Sequence, residues 1–211
     1  MQKIPFNPIL AGAILLALVL ALGVYLLFGG GAAGPQGANG APVVSSGVAQ
    51  VGGPFTLVDQ TGKSVTEKDL LGHYSLIYFG FTFCPVICPT ELQVMAGAMD
   101  ALGPKAERVT PILVSIDPER DTPEVLAPYV KQFHPRLIGL TGTPEQIAVA
   151  AKAYRVYYNK VADESSSAEY TMDHSSIVYL MDPEGKFVAF FPTGTSPEKM
   201  AERIQEAMDG E

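Results

Sequence analysis

An α/β fold with a mixed sheet is what the sequence predicts, on three observations. Between residues 75 and 154, apolar runs of strand length alternate with runs of helical period, the rhythm of strand–helix–strand units. Turn clusters, Asp59-Gln60-Thr61-Gly62 at the front and Asp182-Pro183-Glu184-Gly185 near the end, each separate two short strand-like pieces, so hairpins add antiparallel strands to a parallel centre. Three helices open on one signal, Thr122-Pro123-Glu124, Thr143-Pro144-Glu145 and Ser196-Pro197-Glu198. Each has a hydroxyl at the cap, proline at the first helical position and a carboxylate in the first turn, where the helix dipole favours negative charge.

Taken in order, residues 55–57 and 64–65 form the opening hairpin, and 75–83 form a buried strand running into Cys84. Leu92, Met95, Ala96, Met99 and Leu102 fall at helical spacing within 91–102. A strand at 110–116, a helix at 123–133, a strand at 136–140 and a helix at 144–154 follow. The second hairpin takes 176–181 and 187–191, and an amphipathic helix at 197–208 closes the chain. The predicted domain spans 48–211, and no repeat at solenoid or propeller spacing runs through it.

Ahead of that domain, residues 9–28 contain no charged or strongly polar side chain. A helix of that length rises roughly 30 Å, enough to cross a bilayer core. Cleavable signals have apolar cores of about 7–15 residues, so an uncleaved transmembrane helix is expected, although Gly31-Ala32-Ala33-Gly34 resembles a weak cleavage site. The absence of a cysteine there excludes a lipoprotein anchor. Lys3 and the amino terminus precede the apolar run, and no lysine or arginine follows it until Lys63. Residues 1–8 are therefore expected in the cytoplasm and the domain outside. Residues 29–47, rich in glycine and alanine, read as a flexible tether with an end-to-end distance on the order of 25 Å. Beyond the apolar run the chain carries 13 basic and 22 acidic residues, a balance that makes nucleic acid and anionic lipid poor partners.

The two cysteines, Cys84 and Cys88, sit four residues apart at the seam between the strand and the first long helix. Cys88, followed by Pro89-Thr90-Glu91, is expected at the cap, where backbone N–H groups and the dipole stabilise a thiolate. Three readings of the pair stand together. A structural disulfide suits a secreted chain, but it would close too small a loop to stabilise much. A redox-active dithiol fits, because cysteine at a strand-to-helix junction is the thioredoxin arrangement, here with three intervening residues rather than two. Metal binding fits equally, since two thiolates on a bent loop can converge on one ion. A metal would need a third ligand. His73 lies in a turn and His134 ends a helix, whereas His174 precedes a strand, on a loop able to face the cysteines. On the residues alone it is as readily a surface histidine.

The chain resembles the Sco/SenC proteins, membrane-tethered copper proteins of thioredoxin-like fold that assist assembly of cytochrome c oxidase. The resemblance rests on Tyr78-Phe79-Gly80-Phe81-Thr82-Phe83-Cys84-Pro85-Val86-Ile87-Cys88-Pro89, on Val114-Ser115-Ile116-Asp117-Pro118-Glu119-Arg120-Asp121-Thr122-Pro123, and on Asp173-His174. It implies that Cys84, Cys88 and His174 bind one copper ion and pass it toward the binuclear copper centre of oxidase subunit II. It also implies an upstream copper donor, a thiol reductant, and a single-pass protein of the inner membrane with its domain on the periplasmic side.

Two thiolates and an imidazole suit Cu(I), and a low coordination number leaves room for ligand exchange. Cu(II) prefers more ligands, for which Asp173 and Met172 are candidates. Asp117 could hold the cysteine loop through Arg120, although its ordinary reading is a strand-to-helix turn capped by Asp121 or Thr122. The alternative function is a thiol-disulfide oxidoreductase that reduces the copper-ligand cysteines of the oxidase subunit, with Cys84 and Cys88 as its redox pair. A peroxidase fits less well: peroxiredoxins place threonine three residues before the reactive cysteine, and Thr82 stands two before Cys84.

Overall fold

In the computed structural model, residues 50–163 and 169–210 are described. All belong to one compact unit spanning Val48–Glu211. The expected membrane helix at 9–28 and the tether at 29–47 lie outside the described residues. Among those described, no helix is long and apolar enough to cross a membrane.

The hairpin of β1 (Thr56–Asp59) and β2 (Ser64–Thr66) closes as read, with Asp59 Oδ1 accepting the N–H groups of Thr61 and Lys63. β3 (Tyr74–Gly80) is buried at every position, and β4 (Val109–Ser115) runs parallel beside it. A strand covered on both faces needs apolar residues on both, which is why these segments read as continuous apolar runs without alternation. β5 (Ile138–Thr141) continues the parallel centre and pairs antiparallel with β1. On the other side of β3 come β8 (Ile177–Met181) and β9 (Phe187–Pro192), both antiparallel. The sheet order is β2-β1-β5-β4-β3-β8-β9.

Among the described residues, four α-helices cover the sheet: α1 (Ile87–Leu102), α2 (Pro123–Val130), α3 (Pro144–Ala153) and α4 (Pro197–Asp209). α1 and α4 approach closely enough that a Cβ on Gly97 would stand 3.0 Å from Pro197 Cβ. Leu92, Met95 and Met99 of α1 and Met200 and Ile204 of α4 are fully buried, each contributing about 1.5–3 kcal/mol of apolar burial. Thr143 and Ser196 accept the N–H groups of Gln146 and Lys199 as caps, whereas the Thr122 side chain makes no cap bond.

Three expectations are corrected. The strand into the cysteines ends at Gly80, three residues earlier than read, because the Thr82 N–H and hydroxyl both turn to the Asp121 carboxylate. The next helix begins at Ile87, so Cys88 is a residue of its first turn and Val86 is the cap. Finally, His174 is not on a loop: it is the last residue of β7 (Tyr170–His174), which pairs antiparallel with β6 (Tyr158–Ala162) in a separate two-stranded sheet. That hairpin was not read, since β6 is largely exposed and carries no alternating apolar pattern.

Candidate metal centre

The fold brings Cys84, Cys88 and His174 to one place. Cys84 is half-buried in the turn between β3 and α1, where its N–H donates to the Phe81 carbonyl at 3.4 Å. Cys88 is fully buried. The first N–H groups of a helix lack partners within it, and here the Cys88 N–H donates to Cys84 Sγ at 3.3 Å. The sulfur that caps the helix is therefore Cys84, the reverse of the sequence expectation.

The hydrogen bond between the two thiols drives their pKa values in opposite directions, and the capping N–H groups add to the effect on Cys84. The Cys84 pKa falls from 9.0 to about 5, through a hydrogen bond from the Cys88 thiol and N–H donation by Cys88, Val86 and Ile87, against an opposing effect of burial. Cys88 moves the other way, above the usual thiol range, because it is the partner that keeps its proton and because it is buried. The Tyr78 hydroxyl donates to Cys88 Sγ at 3.5 Å.

His174 reaches this pair from β7. Residues two apart on a strand share a face, so Tyr170, Met172 and His174 point one way and Asp173 the other. Met172 is buried, and Asp173 is exposed and bears on His174 through its charge. The imidazole sits edge-on to the rings of Tyr78 at 6.1 Å and Phe81 at 5.9 Å. Its Nδ1 lies 3.2 Å from the Ser175 carbonyl, which can only accept, so in the neutral ring Nδ1 carries the hydrogen. Nε2 then presents its lone pair to Cys88 Sγ, 3.7 Å away. Burial lowers the His174 pKa and favours this neutral form. The Cys88 thiol is hydrogen-bonded to Cys84 and its Sγ lies 3.7 Å from His174 Nε2, but no three-ligand cage is drawn together among the described residues.

Several residues that support the site were given no role, or another role, in the sequence reading. Gly80 supplies space, since a Cβ there would stand 2.6 Å from Tyr78 Cε1 and 3.0 Å from Cys88 Sγ. Asp121, read as a possible cap, is fully buried and accepts from Thr82 N at 3.0 Å, Thr82 Oγ1 at 2.5 Å and Ser115 Oγ at 2.6 Å. Asp117 is buried and salt-bridged to Arg120, as the loop-holding alternative foresaw. His134 is elsewhere, accepting the Arg136 N–H at Nδ1.

Comparison with known proteins adds to this geometry. The SCO1/SenC family model matches residues 44–209. Protein SCO1 homolog 1, mitochondrial, of Arabidopsis thaliana is 51% identical over 148 residues, which are 70% of this chain and 44% of that protein, less than half its length. The crystal structure of Arabidopsis ScoI with copper bound has a TM-score of 0.73 at 45% identity, covering 76% of this chain and 99% of that one. BsSco, described as a member of the Sco family of cytochrome c oxidase assembly proteins with a disulfide switch, has a TM-score of 0.57 at 29% identity, covering 74% and 90%.

Proposed function

The chain belongs to the SCO1/SenC family and carries its thioredoxin-like fold, and we propose that it is a copper chaperone that binds one copper ion through Cys84, Cys88 and His174 and delivers it to cytochrome c oxidase subunit II. One observation carries this reading, the approach of His174 Nε2 to Cys88 Sγ at 3.7 Å with the nitrogen lone pair free. With bonds of about 2.3 Å to sulfur and 2.0 Å to imidazole, as for the d10 ion zinc, a trigonal angle puts the two donors about 3.7 Å apart. The pair thus needs little movement to share an ion, and Cys84 arrives as a ready thiolate. Soft sulfur donors with one imidazole favour Cu(I), the cargo of this reading.

The arrangement also suits release. Cys88 is fully buried, while Cys84 and His174 are half-buried, and Cys84 sits on a loop flanked by Phe83 and Val86, 51% and 61% exposed. An incoming thiolate of an acceptor protein meets the Cys84 loop first and can replace that ligand before the buried Cys88. An upstream copper donor, a thiol reductant and an N-terminal membrane helix at 9–28 complete the proposal, with the domain facing the periplasm. A Cu(I) titration of the reduced full chain against a competing chelator, without oxygen, tests it. One copper per chain, bound far more weakly in Cys88→Ser and His174→Ala, is the expected result, and indifference to both substitutions overturns the reading.

A second reading is favoured by the opposed pKa shifts of the two thiols. A Cys84 thiolate attacks a disulfide of the oxidase subunit, forming a mixed disulfide and releasing one thiolate. Cys88 then loses its proton and attacks Cys84 Sγ, releasing the second thiolate and leaving a Cys84–Cys88 disulfide. Its cycle needs an external dithiol to reduce that bond. Reduction of a subunit II peptide by the His174→Ala variant at the wild-type rate, together with copper binding that is weak in the wild type and indifferent to His174, would favour this reading over the first.

A further inference from the structure

The turn between β4 and α2 grips both segments that carry the candidate ligands. On the cysteine side, Asp121 holds the Thr82 N–H and hydroxyl, and the Arg120 guanidinium lies 4.9 Å from the Phe83 ring, next to Cys84. On the histidine side, Arg120 stacks 3.8 Å from the Tyr170 ring centroid, and its Nη1 donates to the Tyr170 carbonyl at 3.1 Å. Asp117 braces the assembly, pairing with Arg120 Nε through one oxygen and accepting the Tyr170 hydroxyl at 2.9 Å through the other. Asp117 itself is fixed, because its N–H donates to Ser115 Oγ.

The strand geometry gives this grip a consequence. Tyr170, Met172 and His174 share one face of β7. That face has three attachments, Tyr170 on Arg120, Met172 in the core and His174 beside Cys88. β6 and β7 hydrogen-bond to each other and not to the seven-stranded sheet, so ladder bonds do not fix where His174 stands. A planar guanidinium that stacks, pairs with a carboxylate and bonds a carbonyl at once is a rigid connector, and lysine could not take its place.

We propose that Arg120, braced by Asp117, is a positioning residue that clamps the strand carrying His174 to the loop carrying Cys84, and so sets the imidazole at its distance from the sulfurs. The proposal rests on the copper-site reading for its consequence, but not for its geometry. Arg120 acts on the sulfurs and the imidazole through its neighbours, the rings of Phe81, Phe83 and Tyr170.

A double-mutant cycle on the reduced full chain tests it, with Cu(I) set against a competing chelator as the probe. Arg120→Met keeps side-chain length and removes the guanidinium. It is expected to weaken Cu(I) binding about 10- to 100-fold, the usual effect of losing an outer partner of a metal ligand. In a His174→Ala background it is expected to add nothing. A general loss of stability acts alike in both backgrounds, so additive penalties overturn the proposal, as does unchanged affinity in the single variant. A second readout needs no copper. In the metal-free chain, the nuclear Overhauser contact between the His174 and Phe81 rings is expected to vanish in Arg120→Met while that between Phe79 and Tyr154 persists. Survival of the His174–Phe81 contact overturns the clamp. If the Phe79–Tyr154 contact is lost as well, Tyr170→Leu, at a half-buried position, decides by the same criteria. If His174→Ala alone leaves Cu(I) affinity unchanged, the copper reading fails and the ring contact alone decides the clamp. Lys105→Met, which breaks an exposed pair with Asp209, is the control expected to alter neither readout.

Discussion

His174 Nε2 and Cys88 Sγ stand 3.7 Å apart although 86 residues separate them in the chain. The Ser175 carbonyl fixes the tautomer that turns the lone pair toward the sulfur, and burial keeps the ring neutral. His174→Ala is therefore expected to weaken Cu(I) binding by more than the about 10- to 100-fold that loss of an outer-shell partner costs. His73→Ala and His134→Ala are expected to leave it unchanged. Chelator competition on the three variants checks this, and equal affinities for all three would remove His174 from the site.

Cys84 is expected to be the reactive thiol. Its pKa of about 5 predicts alkylation by iodoacetamide at pH 6, with buried Cys88 unmodified under the same conditions. The first cause of the depression is the hydrogen bond from Cys88, so Cys88→Ser or Cys88→Ala should shift the pH midpoint of Cys84 alkylation. Alanine, which cannot donate, should raise it further. Peptide mapping after alkylation across a pH series measures both effects, and a midpoint near 9 in the wild type would contradict them.

The same shift ties stability to pH. Cys84 has a lower pKa folded than unfolded, so the unfolded chain binds more protons between about pH 5 and 9, and folding gains stability as pH rises through that window. That contribution is complete above about 9 and is lost as pH falls through 5. Cys88 is shifted upward and opposes it only above its unfolded pKa near 9. Urea unfolding of the reduced protein is expected to show a rising midpoint from pH 5 to 8, and Cys84→Ser should flatten that rise. An identical slope in the variant would assign the dependence to other groups.

Much of this architecture was legible from residues 75–83 and 110–116, whose unbroken apolar character marks a sheet centre covered on both faces. The Thr-Pro-Glu and Ser-Pro-Glu signals placed the starts of α2, α3 and α4 at the observed residues. The β6–β7 hairpin was not legible. Its β6 side faces solvent, and polar contacts with Arg120, Asp117 and Glu119 anchor it, which leave no periodic trace. The roles of the cysteines were exchanged for a related reason. Val86 took the cap position, and only the resulting turn could show that Cys84 reaches back over the helix start. Asp121 looked like a helix cap because it precedes Thr122, and its actual partners, Thr82 and Ser115, are distant in sequence or on the neighbouring strand.

Asp121 is expected to be costly to remove. Its fully buried carboxylate satisfies three donors, and Asp121→Ala would leave the Thr82 and Ser115 groups without that partner in the interior. A buried polar group left unsatisfied costs about 1–3 kcal/mol, so a loss of about 3 kcal/mol in unfolding free energy is expected from urea denaturation. Asp121→Asn keeps an acceptor oxygen and should lose less.

Gly80 sits where β3 ends and the cysteine loop begins, and its lack of a side chain leaves space for Cys88 Sγ. An added Cβ would stand 2.6 Å from Tyr78 Cε1, inside any real contact distance, and 3.0 Å from the sulfur. Tyr78 is itself buried and cannot swing clear without disturbing β3. Overpacking of this kind costs about 1–3 kcal/mol, so Gly80→Ala is expected to lower the thermal midpoint by several degrees. Displacement of Cys88 Sγ from His174 should weaken Cu(I) binding as well. Gly97→Ala provides the contrast: it crowds Pro197 at the α1–α4 contact, far along α1 from the cysteines, and should leave copper affinity intact whichever way overpacking and the better helix propensity of alanine move stability. If Gly80→Ala lost stability and neither variant lost copper, the space beside Cys88 would be a packing requirement with no bearing on the metal site.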